Sequence, residues 1–238
     1  MKGTNSIDIL PKEFNAHCKI HEYGGGAMTV GGDGNIIFTD GNTDGVFKLN
    51  PASREVTEIV KGDSKVRFAD FNVNPSDHHA ILAVQEDHRG AGEVVNNIAL
   101  LNTQTNEAHV VVQGADFYTH PKFSPNGKKV SWVQWNHPDM PWTGSELYIA
   151  DWKNGSIENA TKIAGQARVE SIVQPKWLCD GSLMFASDKT GFWQVYVCNP
   201  DDLGLRRLNI SGFEDVDLGA REIQMGLYVE SNSHIRTC

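Results

Sequence analysis

Apolar and polar residues alternate along this chain in short runs, and each run is closed by a turn. Asn35-Ile36-Ile37-Phe38-Thr39, Lys129-Val130-Ser131-Trp132-Val133 and Leu183-Met184-Phe185-Ala186-Ser187 are rich in β-branched and aromatic residues. That composition and a period of two suit a pleated, half-buried strand. No window sustains the helical period, so almost no helix is expected. The strands also recur. Val84-Gln85-Glu86-Asp87-His88 and Ile98-Ala99-Leu100-Leu101 are echoed, 49 residues on, by Val133-Gln134-Trp135-Asn136-His137 and Leu147-Tyr148-Ile149-Ala150. A weaker copy lies upstream, at Ile36–Thr39 and Val46–Leu49, and another downstream, at Leu183–Ser187 and Val195–Val197. Turns ending at Gly34, Asp77, Gly127 and Gly181 precede the four copies, at spacings of 43, 50 and 54 residues.

A repeat of roughly 40–50 residues with this strand pattern is that of a four-stranded propeller blade. The fold class is therefore all-β: a β-propeller-like array of about four four-stranded blades plus the start of a fifth, in an incomplete ring. The blades are placed at 27–60, 69–113, 120–164 and 174–210, with a fifth starting near Arg221 and ending at Cys238. In domain terms, 1–26 leads into the first blade, 27–212 holds four blades, and 213–238 is a truncated blade or divergent tail. For the third blade, strands are expected near 120–124, 129–134, 146–151 and 161–164.

Strands A to D of a blade are antiparallel, so the B–C loops and the D–A connections share one rim. The loops Glu86–Val95 and Asn136–Ser145 are long, and His21-Glu22-Tyr23, Asp116-Phe117-Tyr118 and Arg168-Val169-Glu170 fall on D–A connections. The polar and aromatic residues that stand out along the chain are thus expected on one face. An open array also leaves two unpaired blade faces, which favours self-association.

Composition narrows the function. The 238 residues carry a net charge of −9 and no basic cluster longer than two residues, which excludes nucleic-acid binding and a polybasic membrane anchor. No apolar run approaches a membrane span, and Met1–Ser6 is polar with no apolar stretch behind it. Cys18, Cys179, Cys198 and Cys238 form no CxxC pair, so the thiols read as reduced and the protein as cytoplasmic. No metal or other cofactor is expected. His17 and His21 are four apart in a region without helical pattern, and Gly24-Gly25-Gly26 lacks the Lys and Ser/Thr of a phosphate loop.

Four stretches carry a family resemblance: His21-Glu22-Tyr23-Gly24-Gly25-Gly26-Ala27, Glu86-Asp87-His88-Arg89-Gly90, Asn136-His137-Pro138-Asp139-Met140-Pro141-Trp142 and Asp188-Lys189-Thr190-Gly191-Phe192-Trp193. In this order they resemble the β-propeller of prolyl-oligopeptidase-family serine peptidases, of the acylaminoacyl-peptidase and dipeptidyl-peptidase type, from about Asp8 to Gly212. The resemblance implies a partner α/β-hydrolase domain that carries the catalytic Ser in a GxSxG elbow. This sequence holds no GxSxG, and no catalytic residue is assigned in it. The implied role is a propeller that gates access of short peptide substrates and is inactive alone. The alternative is a stand-alone propeller, either a protein-interaction scaffold or a non-peptidase small-molecule enzyme.

Candidate gating or pocket residues are Glu22, Tyr23, Glu86, Asp87, His88, Arg89, Tyr118, His137, Asp139 and Trp142. In the Glu86–Arg89 loop, a carboxylate can pair with a substrate amine and Arg89 can hold a carboxylate with two bonds. The same residues can instead brace the loop, and the near-repeat at Asn136-His137 favours the brace. The apolar stretch Trp135 to Trp142 suits packing against a hydrolase domain.

Overall fold

The computed structural model describes residues 7–208. Sixteen strands form four antiparallel four-stranded sheets, each built from consecutive strands. The first sheet is β1 (Met28–Val30), β2 (Ile36–Thr39), β3 (Val46–Leu49) and β4 (Val56–Val60). The second is β5 (Val66–Asn74), β6 (Asp77–Asp87), β7 (Val95–Asn102) and β8 (Glu107–Val112). The third is β9 (Phe117–Phe123), β10 (Lys129–Trp135), β11 (Glu146–Lys153) and β12 (Ser156–Gly165). The fourth is β13 (Ile172–Trp177), β14 (Leu183–Ser187), β15 (Gln194–Cys198) and β16 (Leu205–Arg207). A three-residue 3-10 turn, Ile20–Glu22, is the one helical element among the described residues. The open set of four sheets is the expected incomplete propeller. The expected fifth blade lies outside the described residues.

Several boundaries differ from expectation, with β5 and β9 each starting three residues early. β12 begins at Ser156, because Asn154 and Gly155 take left-handed φ of 51° and 83° and close a two-residue hairpin with β11. β6 runs on to Asp87, so the second B–C loop shortens to residues 88–94.

Alternation puts one side of each sheet against its neighbour. Ile37, Val46 and Ile59 meet Phe68, Phe71, Ile81 and Leu101 between the first two blades. Leu82, Val84 and Ile98 meet Tyr118, Val130 and Trp132 between the second and third, and Val133, Leu147 and Ile149 meet Trp177, Leu183, Phe185 and Tyr196 between the third and fourth. The innermost strands of the last three blades share a bulge. Asp70, His120 and Gln174 have φ of 53°, 54° and 51°, and each interrupts the register with the next strand. Phe71, Pro121 and Pro175 follow them; a bulge tolerates proline because the position has no ladder partner for an N–H. These bulges tie the blades together near the axis. The His120 N–H and the Thr119 hydroxyl donate to Asp70 Oδ2, and Lys122 Nζ pairs with Asp70 Oδ1 at 3.2 Å.

The outer face of the first blade is partly covered by the chain itself. Phe14 packs edge-on against Phe38 and Phe47, with centroids 5.8 and 5.1 Å apart, and the Asn15 N–H donates to Asp40 at 2.8 Å. Met28 and Val30 on the same face remain 51% and 62% exposed. Replacing Phe14 with Ala is expected to cost about 2 kcal/mol, less than a fully buried Phe because this ring is half-buried, and to promote self-association. Denaturant midpoints and concentration-dependent light scattering check both parts.

Cys18 and Cys198 are free, buried thiols. Cys179 is disulfide-bonded, which corrects the expectation of four reduced thiols. No helix among the described residues is long and apolar enough to cross a membrane.

Candidate functional site

The B–C loops 88–94 and 136–145 and the D–A connections 113–116 and 166–171 meet on one rim, held by side-chain to backbone bonds. Asn96 Nδ2 donates to the Asp116 carbonyl at 2.7 Å, and the Asp116 N–H donates to Asn136 Oδ1 at 2.8 Å. The His137 N–H donates to Asp116 Oδ2 at 2.8 Å, and the Arg168 N–H donates to Asp139 Oδ2 at 3.1 Å. The turn Ile20–Glu22 joins the same rim through the His21 N–H, which donates to Glu86 Oε1.

Glu86 is the hub of this rim. It is 4% exposed, and its carboxylate also meets His88 Nε2 and Arg67 Nη1, both at 3.3 Å. Arg67 Nη1 further donates to Glu22 at 2.6 Å and to the Lys19 carbonyl at 3.1 Å. That bond and the Arg67 charge hold the exposed Glu22 carboxyl below its ordinary value. His21 and Glu22 are both left-handed, with φ of 51° and 61°, a conformation that costs about 1–3 kcal/mol per non-glycine residue and needs such anchors. The His21 ring packs edge-on against Phe117 and Trp135, which stack on each other at 5.3 Å and 12°. Burial pushes the imidazole pKa down against the pull of Glu86 and Asp70, and its Nε2 is buried without a hydrogen-bond partner.

The proposed site residues divide. Glu22, Glu86, His88, His137 and Asp139 come together on this rim, with Tyr23 and Trp142 exposed beside it at 74% and 40%. Arg89 is exposed but already committed: its guanidinium grips Asp87 through Nε and Nη2, the edge that would otherwise take a ligand carboxylate with two bonds. Tyr118 braces the rim from beneath and offers no exposed surface. Its ring is fully buried between the second and third blades, where its hydroxyl accepts from the Ala115 N–H at 2.7 Å. Sequence reasoning missed Arg67, since a lone Arg on an inner strand gives no motif, and gave Arg168 no role beyond its loop.

Beside Trp135 lies a cavity of about 300 Å³, lined by Asn136, His137, Pro138 and Asp139 from the B–C loop and by Ala167 and Arg168 from the D–A connection. Gly144 lets the two loops close on each other, since a Cβ there would stand 2.4 Å from the Arg168 nitrogen. Among the described residues, no group of three or more His, Cys, Asp or Glu converges as a metal would require.

No known family model matches this sequence, and no curated protein matches it. Solved structures do. The puromycin-hydrolyzing peptidase of Mycobacterium tuberculosis superposes with a TM-score of 0.74 and 25% identity over 85% of this chain. The chain resembles the propeller of prolyl-oligopeptidase-family peptidases. A puromycin hydrolase matches equally, with a TM-score of 0.75 at 24% identity over 85% of the chain. Dipeptidyl peptidase 4 of Porphyromonas gingivalis shares the fold at 12% identity, with a TM-score of 0.58 over 77% of the chain. The chain spans only 33%, 33% and 32% of these three structures.

Proposed function

We propose that this chain is the substrate-gating propeller portion of a serine exopeptidase of acylaminoacyl- or dipeptidyl-peptidase-like specificity, inactive alone. The observation that carries the reading is the superposition of its four blades on the puromycin-hydrolyzing peptidase over 85% of the chain. The rim adds support. Its long loops, charged hub and exposed Met140 and Trp142 lie on one face, as a surface over a catalytic domain requires. On this reading, Trp142 and Met140 pack against an α/β-hydrolase domain, and the channel between the blades limits substrates to short peptides.

Mechanistically, the chain contributes no nucleophile. Its work is selection: the rim binds and orients a peptide end and excludes folded protein, while a separate domain performs acyl transfer. Acyl-amino-acid and dipeptide p-nitroanilides incubated with the purified chain are expected to show no turnover above a mock purification. Turnover that copurifies with the chain overturns its inactivity. The source transcript read past the Cys238 codon tests the family assignment. It is expected to continue into a domain with GxSxG, and a stop there overturns the peptidase role.

A second reading, a stand-alone interaction scaffold, draws on the Phe14 contact. Chain covering an open blade face is what a capped repeat array needs for solubility.

A further inference from the structure

The pocket beside Trp135 contains both signs of charge, and which of them is already committed decides what it can bind. Asp139 accepts from the Thr143 hydroxyl at 3.0 Å and from the Arg168 N–H at 3.1 Å. Glu146 is engaged by Lys162 Nζ at 2.9 Å and by the Tyr148 hydroxyl at 3.2 Å. Both acids therefore serve the protein's own loops. Two arginines elsewhere on this rim are also committed. Arg67 pairs with Glu22 and Glu86, and Arg89 with Asp87. Arg168 is the one Lys or Arg that lines the pocket, and its guanidinium has no carboxylate or hydrogen-bond partner among the described residues.

Its backbone, by contrast, is firmly placed. Arg168 sits at a left-handed φ of 60°, held by the buried carboxylate of Asp139 and by the close approach of Gly144. A non-glycine residue kept in that conformation by two specific contacts marks a built position rather than a loose loop. Trp135 and Pro138 supply apolar lining to the same pocket, and the exposed His137 and Asn136 supply further polar groups. About 300 Å³ is at the small end of ligand pockets and suits one or two residues of a peptide.

We infer that this pocket takes the terminal carboxylate of a short peptide, which Arg168 grips while the last side chain lies against Trp135 and Pro138. The inference rests on the peptidase-propeller reading and deepens it by naming the end of the substrate that the rim recognises. The planar guanidinium fork matches a carboxylate through two parallel bonds, which a carboxamide cannot reproduce.

The test titrates the purified chain with Ala-Ala-Phe as the free acid and as its C-terminal amide, following the Trp135 indole N–H by NMR. The free acid is expected to bind about tenfold or more tighter than the amide, with shifts at Trp135. R168Q is expected to abolish that preference, and R168K, which keeps the charge without the fork, to recover part of it. Unchanged melting of both variants, expected for an exposed side chain, separates lost recognition from lost fold. Equal affinity for acid and amide, or a preference that survives in R168Q, overturns the carboxylate assignment. Absence of binding by either peptide up to about 10 mM also overturns it. The transcript test judges the peptidase reading independently of all three results.

Discussion

Replacing Asp70 with alanine is expected to cost the chain about 3 kcal/mol, which lowers its melting temperature by roughly 10 °C. Asp70 sits in a bulge of β5, and its carboxylate is the partner that joins the second blade to the third. It accepts the His120 N–H and the Thr119 hydroxyl and pairs with Lys122. Without it, Lys122 keeps a partly buried charge with no partner, and the amide of a left-handed residue is left unpaired. The side chains of Asp70 and Lys122 are 24% and 27% exposed, so water offsets some of the loss and the lower end of the range for a broken buried pair applies.

The pH dependence follows from the same contacts. Burial alone would raise the Asp70 carboxyl, but Lys122, the His120 charge and the His120 N–H outweigh it and hold it at about 2. A folded value below the ordinary 3.8 means stability that is fully present above that value and lost as pH falls through about 2. The contribution is about 2 kcal/mol. Urea midpoints measured at pH 7, 4 and 2.5 are expected to fall more steeply in the wild-type chain than in D70N. A D70N curve parallel to wild type across that window would show that Asp70 is not the group responsible.

Replacing Glu86 with alanine is expected to be nearly as damaging, at about 3 kcal/mol, with its effect concentrated on the rim. The loss removes the acceptor for the His21 N–H and one of the two carboxylates on Arg67, and Glu22, the other, is exposed. The left-handed pair His21-Glu22 then lacks its anchor, and the imidazole loses its fixed seat against Phe117 and Trp135. E86Q keeps the shape and an acceptor oxygen, so it is expected to lose about half as much. Hydrogen exchange at the His21 amide distinguishes a local effect from a global one. Faster exchange there, with protection in β6 and β7 retained, is the expected result. Uniform loss of protection through the second blade would make Glu86 a core residue and not a rim anchor.

The repeat, the four blades and the shared rim were legible because they rest on local signals. Alternation marks each strand, turn residues mark each corner, and the antiparallel order within a blade then assigns B–C loops and D–A connections to one side. Boundaries were less legible. β12 starts five residues earlier than expected because Asn154-Gly155 forms a hairpin turn, a signal present in the sequence but read as part of a longer loop. Tyr118 looked like an exposed pocket residue beside Asp116 and Phe117. Its place on β9 turns it toward the second blade, where burial of the ring outweighs exposure of the hydroxyl.

The sequence by itself determined the fold class, the number of described blades and the absence of a GxSxG nucleophile. These follow from periodicity and composition, which need no knowledge of contacts. Only the tertiary structure decided which charges are committed. Glu86 and Arg67 are 19 residues apart in the chain and meet across the β5–β6 register, whereas Asp70 and Lys122 are 52 apart and meet where the second blade packs on the third. Arg89 and Arg168 look alike in sequence. One is bound to a carboxylate two residues away, and the other is clamped by its backbone at the wall of a pocket. Charge pairing depends on distance in space, and in a propeller that distance is set by strand register within a blade and by how one blade stacks on the next.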